Sequence, residues 1–288
     1  MIDEERIDWP DGKALALSLV VNVEEGSEMS LARGDKGMEP VDELGIHLKS
    51  PIRNYGNESN YLYGLKAGAP RVARLLQDHG FAASWTVAAQ SLENHPEIAA
   101  IIRDLGHEPV SHGYRWIHQF RMDEAAERAF IRRAADSIEA TTGQRPQGWL
   151  SRYLHTNITR RLLIEEGFGY HMDDYSGDVP FTDDTTVPGR QIVILPYQLD
   201  TNDMKMWTDP AYTPRAWAQY AKDSFDWLLA EGRRGNPKMM SVGLHLRIIG
   251  RPGRIGALAD FLDHVARHDD VWVTTRGAIA EHYRSLSR

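Results

Sequence analysis

The chain has 288 residues, 42% of them hydrophobic, enough to bury a large core, and parallel α/β barrels of this size commonly form one domain, the expectation for residues 1–288. A net charge of −8 with scattered basic residues gives no electrostatic reason to bind nucleic acid, and no run approaches the ~18 apolar residues of a membrane span. Cysteine is absent, which excludes disulfides, thiolate catalysis and cysteine-held zinc and fits a reducing, cytoplasmic setting; the charged start Met1-Ile2-Asp3-Glu4-Glu5-Arg6 does not read as a signal peptide.

In chain order, Ala14 to Val21 is a nearly continuous apolar run of strand length, the pattern of a strand covered on both faces, and it ends in Asn22-Val23-Glu24-Glu25-Gly26. From Glu28 to about Lys66 no period emerges, and Tyr55, Tyr61 and Tyr63 point to an ordered insertion near the site rather than a solvated linker. The spacing then predicts a helix from Gly68 to His79, a strand from Phe81 to Val87, a helix from Pro96 to Leu105 and a strand from His107 to Val110. A longer helix spans Asp123 to Thr142, with Asp as its cap and Gly143 and Pro146 as its stop. Later strands are expected at Gly148 to Leu150, Ile192 to Pro196, Lys238 to His245 and Val271 to Val273, and helices at Thr156 to Glu166, Pro214 to Glu231 and Arg254 to His268. This alternation predicts a parallel α/β sheet, open or closed.

Polar residues recur where these strands end. Asn22 and Glu24 follow the first, Thr86 ends the second, and His112 follows the third. Ser151 and Arg152 follow the Trp149 strand, Asn202 and Asp203 follow Pro196, and His245 closes the Met239 strand. In a parallel barrel these carboxyl ends converge on one mouth. The loop Ser111-His112-Gly113-Tyr114-Arg115-Trp116 looks like half of a metal site, because a tryptophan stands where a second histidine, four residues after the first, would complete it.

Those stretches carry a resemblance. The chain resembles the polysaccharide deacetylase superfamily, with its acidic motif after strand one, a His-Gly-x-x-His-type motif after strand three and a late strand ending in Leu-His, and most closely its metal-independent allantoinase branch. The matching segments are Asn22 to Gly26, Ser111 to Ile117, Arg145-Pro146-x-Gly148-Trp149, Pro196 to Met204 and Gly243 to Pro252, which span almost the whole chain. The resemblance implies a distorted, incomplete (β/α) barrel, a homo-oligomer, and hydrolysis of a C–N bond in a cyclic amide or ureide, with allantoin as the type substrate. Val23 and the segment Ser151 to Thr156 depart from the allantoinase pattern, so branch membership is firmer than the substrate.

Opening such a ring requires an activated water, a donor for the developing oxyanion and a proton for the leaving nitrogen. Glu24 and Glu25 are adjacent, so on extended backbone they point to opposite sides, and Asn22 shares a face with Glu24. Glu24 is favoured as the pocket carboxylate and base, with Glu25 close behind. His112 is a candidate base, oxyanion donor or residual metal ligand, and His245 a candidate acid. Trp116 offers a flat wall to a planar ring, with Tyr114 and Arg115 supporting its loop. Arg152 offers a planar fork for a carbonyl or a surface salt bridge, and Asn202 and Asp203 offer hydrogen bonds to a ureide or a turn. Arg247, Arg251 and Arg254 read as a structural ion-pair loop. Zinc catalysis needs three protein ligands as a rule, and Trp116 removes one, so the expectation is no cofactor, with a divalent metal such as zinc as the alternative. The alternative activities are a metal-dependent cyclic imide hydrolase and an N-deacetylase of an acetylated sugar or peptidoglycan.

Overall fold

The computed structural model describes residues 7–43, 45 and 50–286. The charged start, Met1 to Arg6, and five residues of the insertion, 44 and 46–49, lie outside the described residues. Nine strands form one sheet among them: β1 (Leu15–Val23), β2 (Ser84–Val87), β3 (Glu108–Ser111), β4 (Gly148–Trp149), β5 (Tyr170–His171), β6 (Phe181–Asp183), β7 (Ile192–Ile194), β8 (Lys238–His245) and β9 (Val271–Val273). The order is β6-β7-β5-β4-β3-β2-β1-β8, with β9 added to β1. Every pairing is parallel except β6 with β7.

The first strand is the hub, and every residue in it is buried, as its unbroken apolar run requires. One edge pairs with β8 from Leu15 to Asn22; the other is shared by β9 at Leu15 to Leu17 and β2 at Val20 to Val23. Among the described residues no ladder joins β7 to β8. Isolated bonds span that side instead: Ser241 Oγ accepts from Gln198 N at 3.0 Å, Thr201 donates through its hydroxyl to Ser241 O at 2.7 Å, and the backbone of Met239 donates to Asp178 O at 2.8 Å. The architecture is thus the incomplete barrel that the resemblance implied.

Helices cover the outside: α1 (Tyr55–Tyr63), α2 (Ala69–Asp78), α3 (Ala89–Asn94), α4 (Pro96–Asp104), α5 (Glu124–Thr142), α6 (Thr159–Glu165), α7 (Pro214–Arg233), α8 (Leu246–Ile249), α9 (Pro252–Val265) and α10 (Arg276–Leu286). The limits of α5 follow from its punctuation, since Asp123 accepts from Ala126 N at 2.8 Å and Gly143 turns left-handed at φ 77°. The helix expected from Thr156 begins three residues later, because Thr156 N donates to Thr159 Oγ1 at 2.8 Å and holds a side-chain turn there. The insertion that showed no period contains α1, followed by a π-helical turn, Gly64–Gly68, that runs into α2. Among the described residues no helix is long and apolar enough to cross a membrane.

Register places the site. Asn22 sits between Thr86 of β2 and His245 of β8, and one step on, Val23, Val87, Ser111, Trp149, His171 and Ile194 run level across the sheet. The loops leaving these strands therefore open at a common mouth.

Candidate active site

The floor is built by strand residues. Asn22 donates through Nδ2 to Leu244 O (3.2 Å) and to the Tyr197 hydroxyl (3.3 Å), while its Oδ1 accepts from Thr86 at 2.6 Å. Asn202 donates to the same Tyr197 hydroxyl at 3.1 Å, and its Oδ1 accepts from Met204 N at 2.9 Å to cap the turn Asp203–Met206. Both amides line the cavity, yet each is bonded to protein at both ends. Gly243 is required here, because a Cβ would overlap the Tyr197 hydroxyl and the Asn202 amide.

The two glutamates after β1 part company. Glu24 lines a cavity of about 80 Å³, with Oε2 2.7 Å from Arg247 Nη1 and Oε1 3.3 Å from His245 Nε2 and 3.7 Å from His112 Nε2. Glu25 lies fully buried behind it, accepting from Glu24 N through Oε2 and from Arg247 N through Oε1, each at 3.1 Å. Burial alone would raise the pKa of Glu24, but Arg247 and His245 outweigh it and hold the carboxyl well below its ordinary range. Glu25 is pushed up to about 7, chiefly by burial, with Arg247 opposing and the Glu24 charge adding to the rise.

The histidines differ in what they hold. His112 Nδ1 lies 2.7 Å from Leu150 O, so that nitrogen carries a proton, and Nε2 turns toward Glu24. His245 is gripped from behind by Asp203, whose Oδ1 is 2.6 Å from Nδ1 and whose Oδ2 accepts from His245 N at 2.7 Å. Burial would favour neutral imidazole, yet Glu24 and Asp203 together raise His245 to about 10, so it is an imidazolium near neutral pH. Both oxygens of Asp203, expected to meet substrate, are thus turned to His245.

The insertion backs one wall. Arg152 reaches Glu39 through two bonds, 3.0 and 2.5 Å, donates to Trp116 O at 2.6 Å, and lies over the Trp116 ring at 3.7 Å. Its guanidinium, a candidate for carbonyl recognition, is buried in that pairing while its chain lines the cavity. Trp116 is itself buried against Tyr61 of α1, and its Nε1–H has no partner among the described residues. Arg115 clamps its loop to Asp35 at 2.8 and 2.6 Å, and Tyr114 donates to Glu93 at 2.9 Å. Tyr153 and Tyr175 complete the rim, Tyr153 with a left-handed backbone at φ 58°.

Two contributors escaped the sequence reading. Arg247, grouped with the ion-pair loop, has its guanidinium against Glu24 behind the cavity wall, whereas Arg251 and Arg254 do lie outward, over Tyr63 and Trp207. Its position two residues after the strand-ending His245 was the available signal. Tyr197 stood beside Pro196 in a matching segment without being assigned a role.

Among the described residues, the groups whose ligand atoms lie close enough for one ion are His155, His171 and Asp173, and Asp226, His264 and His268; Glu24, His112 and His245 do not form such a group. In each cluster an arginine faces an imidazole nitrogen, Arg160 at 3.5 Å from His171 Nδ1 and Arg233 at 3.4 Å from His268 Nδ1. A ligating histidine needs that nitrogen protonated and facing an acceptor, so neither cluster is set for a metal.

Residues 60–171 match the polysaccharide deacetylase family. A Schizosaccharomyces pombe protein named for the polysaccharide deacetylases is 32% identical over 292 residues, covering 95% of this chain and 91% of its own length. The peptidoglycan deacetylase of Helicobacter pylori is 25% identical over 263 residues, covering 77% and 88%. Among solved structures, the PuuE allantoinase superposes with a TM-score of 0.93 at 37% identity, covering 99% of this chain and 95% of that one.

Proposed function

We propose that this chain, which belongs to the polysaccharide deacetylase family, is a hydrolase that opens the C–N bond of a small cyclic amide or ureide of the allantoin type, and does so without a metal. The observation that carries the reading is the small cavity, walled by Trp116, Tyr153 and Tyr175, in which one carboxylate stands between the Nε2 atoms of two histidines. Likeness to the PuuE allantoinase along nearly the full chain supports the substrate class.

The residues divide the work. His112 Nε2 takes a proton from the attacking water, and the Glu24 charge 3.7 Å away stabilises the imidazolium that forms. His245 Nε2–H gives its proton to the leaving nitrogen as the C–N bond breaks, and the product carries a new carboxylate and a released N–H. After product leaves, His112 gives its proton to solvent and His245 regains one from solvent, which resets the site. Glu24 was favoured as the base; paired with Arg247 and an imidazolium it is a weak proton acceptor, and in this scheme it acts as a fixed charge. Trp116, Tyr153 and Tyr175 wall the ring.

A divalent ion does not fit these donors. Glu24 Oε2 is taken by Arg247, both His245 nitrogens carry protons that face carboxylates, and Trp116 stands four residues after His112.

N-deacetylation of an acetylated sugar is the second reading, and the Helicobacter pylori relative supports it. It needs a long groove for a chain of sugars, which a cavity of about 80 Å³ does not offer. The test is a panel of allantoin, hydantoin, succinimide, dihydrouracil and an N-acetylglucosamine oligomer in H₂¹⁸O. Ring opening with one ¹⁸O in the new carboxylate is expected; acetate release from the oligomer alone would reject the proposal.

A further inference from the structure

We infer that Arg247 is a positioning residue, a fixed internal cation that divides the two oxygens of Glu24 and so sets that carboxylate between His112 and His245. The inference rests on the hydrolytic reading above and assigns a part to a residue outside the two imidazoles and their carboxylate.

Three carboxylates share this guanidinium. Nη1 lies 2.7 Å from Glu24 Oε2 and 3.4 Å from Glu25 Oε1, and Nε comes within 2.8 Å of Glu43 Oε1 as an ion pair without hydrogen-bond geometry. The side chain is 1% exposed, and its charge lies over the faces of Tyr61 at 4.4 Å and Trp116 at 5.5 Å. Its backbone N–H also donates to Glu25. Arg247 therefore joins the start of α8 to the end of β1, to the insertion and to the wall of the cavity. Such a group is costly to bury, and the cost is offset only where each charge has a partner.

The consequence falls on Glu24. With Oε2 held by arginine, Oε1 is left for the two imidazoles and cannot rotate away from either. Without the guanidinium, rotation about the terminal carboxylate bond would give both oxygens to the imidazolium of His245 and withdraw charge from His112. Lysine could not replace it, because a flexible ammonium lacks the planar guanidinium that reaches Glu24 while lying over Tyr61 and Trp116. The residue is not among those lining the cavity, so it acts through Glu24 rather than on substrate.

Arg247→Lys and Arg247→Ala test this. Displacing a reacting group by an ångström costs about 100-fold, so kcat should fall by roughly that factor in R247K while KM changes little. In R247A, dilute guanidinium chloride should restore part of kcat, and ammonium chloride should not. Wild-type kcat in R247K, a raised KM with unchanged kcat, or failure of guanidinium to rescue folded R247A would each overturn the inference. Should R247A not fold, R247K decides alone. A substrate-free readout separates this from the functional reading: the ¹⁵N signals of the His245 ring should shift in R247K, because Glu24 has moved. If no ring in the panel is opened, the functional reading fails, and unshifted His245 signals would independently dismiss Arg247.

Discussion

Asp203→Asn probes the proton held on His245. In the wild type the Asp203 carboxylate accepts two bonds, from the ring Nδ1–H at 2.6 Å and from the backbone N–H at 2.7 Å. Asparagine is nearly isosteric but presents one oxygen and one NH₂ to those two donors, so one N–H is left facing another. The repelled N–H turns the ring out of place, and misplacing a reacting group by an ångström costs about 100-fold, so kcat should fall by roughly that factor. The same substitution should lower the His245 pKa, since Asp203 is one of the two carboxylates that raise it against burial. The linkage has a definite sign. The folded pKa, about 10, lies above the ordinary 6.5, so this group's stabilisation is complete below pH 6.5 and is lost as pH rises through about 10. D203N should show less of that decline. The assays are kcat on the ring opened fastest, ¹⁵N spectra of the His245 ring at pH 8, and urea midpoints from pH 6 to 10. An unchanged kcat with a persistent imidazolium signal would refute the reasoning.

Further outcomes follow from the same contacts. Glu24→Gln should cost about 10²- to 10⁴-fold in kcat while the chain still folds, since Arg247 keeps Glu25 and Glu43; rate and melting curves check both halves. Gly64→Ala should lower stability by about 1–3 kcal/mol in urea titration, because a Cβ there would press on the Glu25 carboxylate and Arg247 N. Glu25, raised from 4.5 to about 7, holds a proton in the folded state that the unfolded chain has released, so wild-type stability should fall as pH rises from 4.5 to 7. Glu25→Gln should flatten that interval, and urea midpoints at pH 4.5 and 7 measure it.

Much of the frame was legible because it rests on local signals. The apolar run of β1 and the alternation after it pointed to a parallel α/β sheet, the family resemblance to its incomplete barrel, and Asp123 with Gly143 marked α5. What escaped was short or non-local. A two-residue strand such as β5 is too brief to show a period, and β6 exists only through its antiparallel pairing with β7. In the insertion, α1 has no clear apolar stripe; Tyr61 is buried against Trp116 while Tyr55 is exposed. At the site, residue type indicated which side chains gather but not what each one touches. Asp203 and Arg152 were read as substrate contacts, yet their partners, His245 and Glu39, come from segments far away in sequence. Arg247 among glycine and proline was read as part of a structural ion-pair loop, and it does pair with carboxylates, but nothing local announces that one of them is Glu24.

The most direct test is to strip the protein of metal by prolonged chelation, confirm by elemental analysis that none remains, and measure turnover of the fastest ring substrate before and after adding zinc. The account predicts equal rates throughout, since the charge beside Glu24 is supplied by Arg247 and His245. Activity that disappears on chelation and returns with one divalent ion would contradict it.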